Sequence, residues 1–506
     1  MTKLSKWPLK NTYQTSNIKK SVSVRLLLTI FLVVISNSFG QFSGNNLLEV
    51  QYGHLPQDTA SVPTVYDRAV VNFDYKSFRI NTTLEQFLTP TDGSSYLGIS
   101  QFLLQYKSSP LEVKLGNFYE LLGRGLLLRS FEIPGAILED LSYRSRHYFN
   151  RDILGMNIGF RHKNFNARAL YGKPLNYVFP PTQSFVDRRP DTIGAISADY
   201  SLRKQVVELS AMYHSNSGGD RLYGSASAAG NISNSLSYYT ELARNLSDFE
   251  IGDFSDQSSF AFYSGINVSY NSFGLSAEYK NYNNFLIGSG INEPPALVKE
   301  HSYKVLNRST HVLQPINETG YQLELFYTFA DLSTLTFNNT LARNDFGEIF
   351  KFTEYFIEYN FNVFDLHEIK LFTDYAKDPF KLEEWRVSAG GYAAWKVSKH
   401  SSLRTNYEFQ TFSRLNENVQ NHVIVLGYSY RSKFIFNLET EYSDDSYITD
   451  EDSKIWIGVN ARYRLNNSHS LQLFAGERRG GPACNAGVCY EVLDFKGVEL
   501  RITSRF

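Results

Sequence analysis

Beyond residue 35, no stretch of this chain approaches the roughly 18 consecutive apolar residues of a membrane-crossing helix. Leucine-rich amphipathic runs at helical spacing are missing as well, so a helix bundle is excluded. Neither sign of charge dominates: 50 Lys and Arg stand against 51 Asp and Glu in 506 residues, which gives no support for a nucleic-acid partner. Catalytic signatures are wanting too. There is no G-x-S-x-G, H-E-x-x-H or G-x-x-x-x-G-K-[ST], and the ten His are scattered. The chain therefore reads as a non-enzyme with no cofactor, no catalytic residues and no metal centre.

What is abundant is aromatic: 34 Tyr and 38 Phe, residues that favour strands. At the N-terminus Lys19, Lys20 and Arg25 precede a compact apolar run, Leu26 to Ile35, followed by Ser38 and Gly40 before Gln41. That is the pattern of a secretory signal peptide, residues 1–40, with residues 41–506 forming one exported domain. Such a domain either stays in solution or crosses a membrane as strands.

The strand pattern decides between these. In FKGVELRITSRF at the C-terminus, Val498, Leu500, Ile502, Ser504 and Phe506 share one face and Glu499, Arg501, Thr503 and Arg505 the other. In KIWIGVNARYRL, Ile455, Ile457, Val459, Ala461 and Tyr463 oppose Trp456, Asn460, Arg462 and Arg464. The same alternation places Glu324, Glu408, Glu439, Glu441 and Asp374 on polar faces. These runs are about 9–12 residues long, as a tilted membrane strand requires, whereas soluble strands cluster near 5–6. Short links, such as Tyr75 to Arg79 and Asn271 to Gly274, alternate with long ones, such as Glu120 to Asp152 and Phe285 to Thr319. Tight periplasmic turns and long outer loops are the asymmetry of a transmembrane antiparallel β-barrel. The walk gives an all-β barrel of about 20–24 strands, both termini periplasmic, in the bacterial outer membrane. The apolar faces then meet lipid, since an open sheet edge in hydrocarbon would leave backbone groups unpaired. Phe506 would be the terminal aromatic that the outer-membrane insertion machinery reads.

Several features stand out from this pattern. Cys484 and Cys489 lie in a long link near the end; in an oxidising compartment they read as a disulfide, and two sulfurs without an adjacent His do not complete a zinc site. Arg478 and Arg479 stand beside that link, either as a rim pair for lipopolysaccharide phosphates or a partner carboxylate, or as solvated rim charges. The link from Glu120 to Asp152 mixes ionisable groups with LLGRGLLLRS and IPGAIL. A solvated loop has no need of Leu126, Leu127 and Leu128. Part of it is therefore expected to fold inward, with Glu120, Arg124, Arg129, Glu132, Arg144 and Arg146 as lumen or constriction residues, the alternative being a packed external loop.

Two stretches, LGNFYELLGRGLLLRSFE (Leu115 to Glu132) and GERRGGPACNAGVCYE (Gly476 to Glu491), resemble an uncharacterised, domain-of-unknown-function family of Gram-negative outer-membrane β-barrels. The resemblance implies the barrel fold and no particular activity. Two functional expectations follow from the residues. One is a porin-like passive channel for small solutes, from the charged inward faces and the wide lumen that such a strand count encloses. The other is a non-transporting scaffold or accessory barrel of an outer-membrane secretion or assembly complex, with the long loops and the Cys link as docking surfaces. Expected partners are outer-membrane lipid and lipopolysaccharide, the insertion machinery, and a homo-oligomer or envelope complex.

Overall fold

The computed structural model describes residues 40–55, 60–140, 145–175, 191–247, 259–288, 290–312, 316–364, 366–449, 452–485 and 488–506. The leader expected at residues 1–40 lies, up to residue 39, outside the described residues. So does Arg144.

Twenty-four strands form one sheet. Each wall strand pairs antiparallel with the next, and the last, Phe495–Arg505, pairs with the first, Gln41–His54, from Lys496 opposite His54 to Arg505 opposite Asn45. The sheet therefore closes on itself and has no free edge. Phe506 extends the seam: its N–H donates to the Gly44 carbonyl at 3.1 Å and its carbonyl accepts from the Gly44 N–H at 2.8 Å. Wall strands run from 8 residues (Leu111–Phe118) to 15 (Ile349–Val363). Lys76, Lys163, Arg203, Asn271 and Arg431 take positive φ in the tight turns at the end that carries both strand termini. The opposite end carries the long connections.

The period-two pattern maps onto the wall as lipid face and lumen face. Ile455 and Ile457 are 57% and 54% exposed, while Trp456 between them is 1% exposed. The strand Gly219–Asn231 is legible only weakly, because its outward positions include Gly224, Ala226, Ala228 and Gly230 in place of large apolar side chains. Ile457→Arg, placing a charge against the hydrocarbon, is expected to destabilise the barrel by about 2–4 kcal/mol. Asn460→Arg on the lumen face of the same strand should change stability little. Equilibrium urea unfolding from lipid vesicles measures both, and equal losses would invert the assignment of faces.

Between the wall strands Leu111–Phe118 and Ile153–His162, the chain forms two small hairpins, Leu121–Leu122 with Leu128–Arg129 and Phe131–Asp140 with Ser145–Arg151. Between Phe273–Asn283 and Glu318–Thr328 it carries a one-turn helix, Lys304–Arg308. A third insert, the hairpin Gly481–Asn485 with Val488–Val492, precedes the last strand. A wall of this many strands encloses more space than its own side chains fill. The inserts occupy that space.

Candidate functional site: a lumen filled by three inserts

The first insert docks by apolar contact. Leu122, Leu126, Leu127 and Leu128 are buried against Leu170, Ile193, Met212, Tyr223 and Ala243, which are lumen-facing residues of successive wall strands. Its tip turns through Gly123 (φ +57°), where a Cβ would meet the Glu241 carboxylate at 2.2 Å, so only glycine fits. That carboxylate accepts the Arg124 N–H at 2.8 Å, and the Arg124 guanidinium lies 4.9 Å over the Tyr239 ring. Glu120 pairs with Arg168 and accepts from Asn157 at 2.6 Å, both on the wall. The Arg129 N–H donates to Ile291 of the second insert at 2.8 Å, and Glu132 stands 3.8 Å from Arg68. The second hairpin is fixed by Glu85, which accepts the Tyr148 N–H at 2.8 Å.

The long link from Phe285 to Thr319, expected from its sequence to be an outer loop, carries the second insert, whose described residues lie along the inner wall instead. Phe285, Ile287, Ile291 and Leu297 join the apolar cluster of the first insert. Beyond them its polar groups meet the wall carboxylates in turn. Lys299 pairs with Glu324 at 2.5 Å, His301 contacts Glu354 at 3.3 Å, and the Tyr303 hydroxyl donates to Glu358 at 2.6 Å. The Val305 N–H donates to Glu408 at 2.9 Å, Lys304 pairs with Glu439, and Arg308 donates to Glu441 at 3.1 Å. Glu324, Glu408, Glu439 and Glu441 were legible as inward-facing charges. The groups they meet, a backbone N–H for Glu408 and cations for the others, belong to a segment more than a hundred residues away for all but Glu324, and only the complementarity of signs could have hinted at it.

At the centre of this wall sits Arg386, fully buried. It donates to Glu383 at 2.9 Å and to the Ser309 carbonyl at 3.2 Å, with Glu354 at 3.6 Å and Asp374 at 3.7 Å. His301, Glu354 and Asp374 bring one nitrogen and two oxygens within 4.8 Å of one another, a set that divalent ions accept. The guanidinium already stands beside both carboxylates and supplies their counter-charge.

Arg478 and Arg479 turn into the lumen. Gly53, Gly497, Gly476 and Gly458 fall opposite one another across four strands at the seam. Without side chains there, the Phe474 and Phe495 rings lie against the wall: a Cβ at Gly458 would meet Phe474 at 2.6 Å, and one at Gly53 would meet Phe495 at 2.8 Å. Arg478 sits over both rings and donates to Glu499 at 2.9 Å. Gln51 donates to the same carboxylate at 2.8 Å. Arg501 donates to Glu49 at 2.6 Å, and Arg146 of the first insert pairs with Glu49 and, at 3.3 Å, with Glu139. Three carboxylates and three guanidiniums thus form one septum between the first and last strands and the inserted hairpin. Arg479 donates to Asn421 at 3.1 Å; burial, with Arg308 adjoining, lowers it to about 10, so it stays a cation at neutral pH.

The third insert packs inward. Its Tyr490 ring lies 5.6 Å from Phe149 of the first insert, and the helix Lys304–Arg308 adjoins its strand Gly481–Asn485. Cys484 stands opposite Cys489 in its backbone register. The side chains of both lie outside the described residues.

Two large cavities adjoin the seam among the described residues. The outer one, about 790 Å³, is lined by His54, Lys454, Phe495 and Lys496 together with Arg308 and Arg479. The inner one, about 850 Å³, is lined by Asn45, Leu47, Arg462, Arg464, Thr503 and Arg505 among others. The same three strands, Gln41–His54, Lys454–Arg464 and Phe495–Arg505, give their outer ends to one cavity and their inner ends to the other. Glu49, Gln51, Glu499 and Arg501 lie between.

A closed antiparallel barrel with short turns at one end, long insertions at the other and an apolar outer face is a β-barrel of the outer-membrane class. The chain belongs to the family described as "Family of unknown function (DUF6029)", whose model matches residues 66–378 and 390–506. Among solved structures it is similar to the Escherichia coli P pilus tip assembly intermediate PapC-PapD-PapK-PapG, at 12% identity and a TM-score of 0.50 over 92% of this chain and 60% of that one. The P pilus usher (PapC) translocation pore matches at 11% identity and 0.49, over 92% of this chain and 99% of that one. OccK8 (OprE) of Pseudomonas aeruginosa matches at 10% and 0.40, over 67% and 94%. At these identities the likeness is one of fold alone. No curated protein matches the chain in sequence.

Proposed function

We propose that this protein is a narrow passive channel of the bacterial outer membrane for small polar solutes. The observation that carries the reading is the pair of cavities on one side of the lumen, at opposite ends of the same three strands, with the paired charges of the septum between them. A solid plug would need an apolar core across the whole section. Here one apolar cluster joins the leucines of the first insert to the wall from Leu170 to Tyr282, whereas the seam carries the paired charges of the septum beside two smaller clusters, Ile133 with Ala136 and Phe149, and Tyr66 with Phe87 and Tyr96. Charged side chains at a constriction set which solutes pass. The reading assigns transport and no catalysis. It also leaves lipid and lipopolysaccharide around the wall, and the insertion machinery as the partner during assembly. The accessory-scaffold alternative is not favoured by the Cys hairpin, which packs against the other inserts instead of standing free.

Planar-bilayer recording of the purified protein tests the reading. Steady unit conductance is expected, well below that of a variant with residues 298–311 excised. A barrel that stays silent under all applied voltages overturns the channel.

A further inference from the structure

The geometry points to the inner cavity as a binding site for small oxyanions, that is, solutes bearing carboxylate or phosphate groups. Its volume of about 850 Å³ is that of a small-molecule pocket. Arg68, Arg79, Lys114, Arg462, Arg464 and Arg505 line it, against the single carboxylate of Glu132. Arg79 is neutralised by Asp74 at 2.6 Å, and Arg68 faces Glu132 while lying 3.7 Å over the Tyr148 ring. Among the described residues no carboxylate lies within ion-pair distance of Lys114, Arg462, Arg464 or Arg505.

Elsewhere in the lumen the same chain matches its cations to carboxylates: Arg146 and Arg501 to Glu49, Lys299 to Glu324, Arg308 to Glu441, Arg386 to Glu383. The unmatched four line the same cavity, where Arg462, Arg464 and Arg505 are exposed. They are not aimed at the bilayer, since Val459, Ala461 and Tyr463 take the lipid face of the strand that turns Arg462 and Arg464 inward. Lipid headgroups are therefore the wrong source of anion, and free solutes the right one. Arginine's planar fork suits carboxylate and phosphate oxygens in pairs. The Asn72 amide on the same lining adds a neutral donor, while those of Asn81 and Gln105 already donate to Asn72 at 2.8 Å and Glu112 at 2.5 Å. As a selectivity filter this site rests on the channel reading; as a binding site it does not.

Calorimetric titration of the detergent-solubilised barrel at low ionic strength, with inorganic phosphate and with succinate, tests the site. At least one should bind, and affinity should fall tenfold or more in the double variant Arg462→Gln, Arg464→Gln, and also as sodium chloride is raised. Arg505→Gln, on a neighbouring strand, serves as an independent single variant with a smaller loss in the same direction. Heat-modifiable migration on gels verifies that each variant is folded. No binding of either anion, or equal binding by folded variants, overturns the site. Conductance without anion binding would sink the site and spare the channel; anion binding by a silent barrel would do the reverse.

Discussion

Glu49→Gln is expected to open the septum, raising unit conductance several-fold and speeding hydrogen exchange in the hairpin Phe131–Asp140 with Ser145–Arg151. Glu49 is fully buried and is shared by two guanidiniums, Arg146 from the insert and Arg501 from the last strand. With Glu139 and Glu499 it balances Arg146, Arg478 and Arg501, so neutralising it leaves one cation in excess where water is scarce. Removing one partner of a buried pair costs about 3–5 kcal/mol, because the remaining charge keeps its desolvation penalty without compensation. The wall cannot relieve that excess, since its strands are locked on both sides by ladder hydrogen bonds. The hairpin can, because its hold on the seam runs through Arg146, with Glu85 and the Tyr96 hydroxyl anchoring its neighbouring backbone. Unchanged conductance together with unchanged exchange would mean that the septum is not what narrows the path.

Arg386→Met should have an effect of similar size on the stretch of wall that holds the second insert. The guanidinium is the cation nearest to Glu354, Asp374 and Glu383 together, and it also holds the Ser309 carbonyl just past the inserted helix. Methionine fills a comparable space but leaves three buried carboxylates without the cation they share, at about 3–5 kcal/mol by the same reasoning. The loss should appear as release of the second insert more than as unfolding of the barrel. Exchange and protease cleavage within residues 298–312 would rise, with a lowered midpoint of thermal unfolding. Arg386→Lys keeps the charge but loses the fork that reaches three acids at once, so it should fall between the two. If Arg386→Met leaves residues 298–312 as protected as in the parent, Arg386 does not hold the insert.

Infolding of the link from Glu120 to Asp152 was one of two readings its sequence offered, because Leu126, Leu127 and Leu128 have no place in solvent, and those three leucines are buried against the wall. The second insert was not legible, because Lys299, His301, Lys304 and Arg308 look like any hydrated loop when read alone. Their meaning resides in Glu324, Glu354, Glu439 and Glu441, which are close only once the wall curves. Arg478 and Arg479 misled for a related reason. The backbone places them at a strand end, where a rim is the natural guess, whereas four aligned glycines let two phenylalanine rings lie flat and carry Arg478 inward.

Alternation of apolar and charged residues over membrane-length runs, together with the spacing of short and long links, was by itself enough to dictate the barrel, its approximate strand number and which face meets lipid. Those properties depend on the side-chain period of two and on the absence of water in hydrocarbon, and both act locally along a strand. Which inserts fill the lumen, how their charges pair and where polar space remains were decided only by closure of the sheet. Coulombic partners and packing surfaces form across the lumen between residues that no local pattern connects, and the sign and shape of what a segment meets are fixed only when the last strand joins the first.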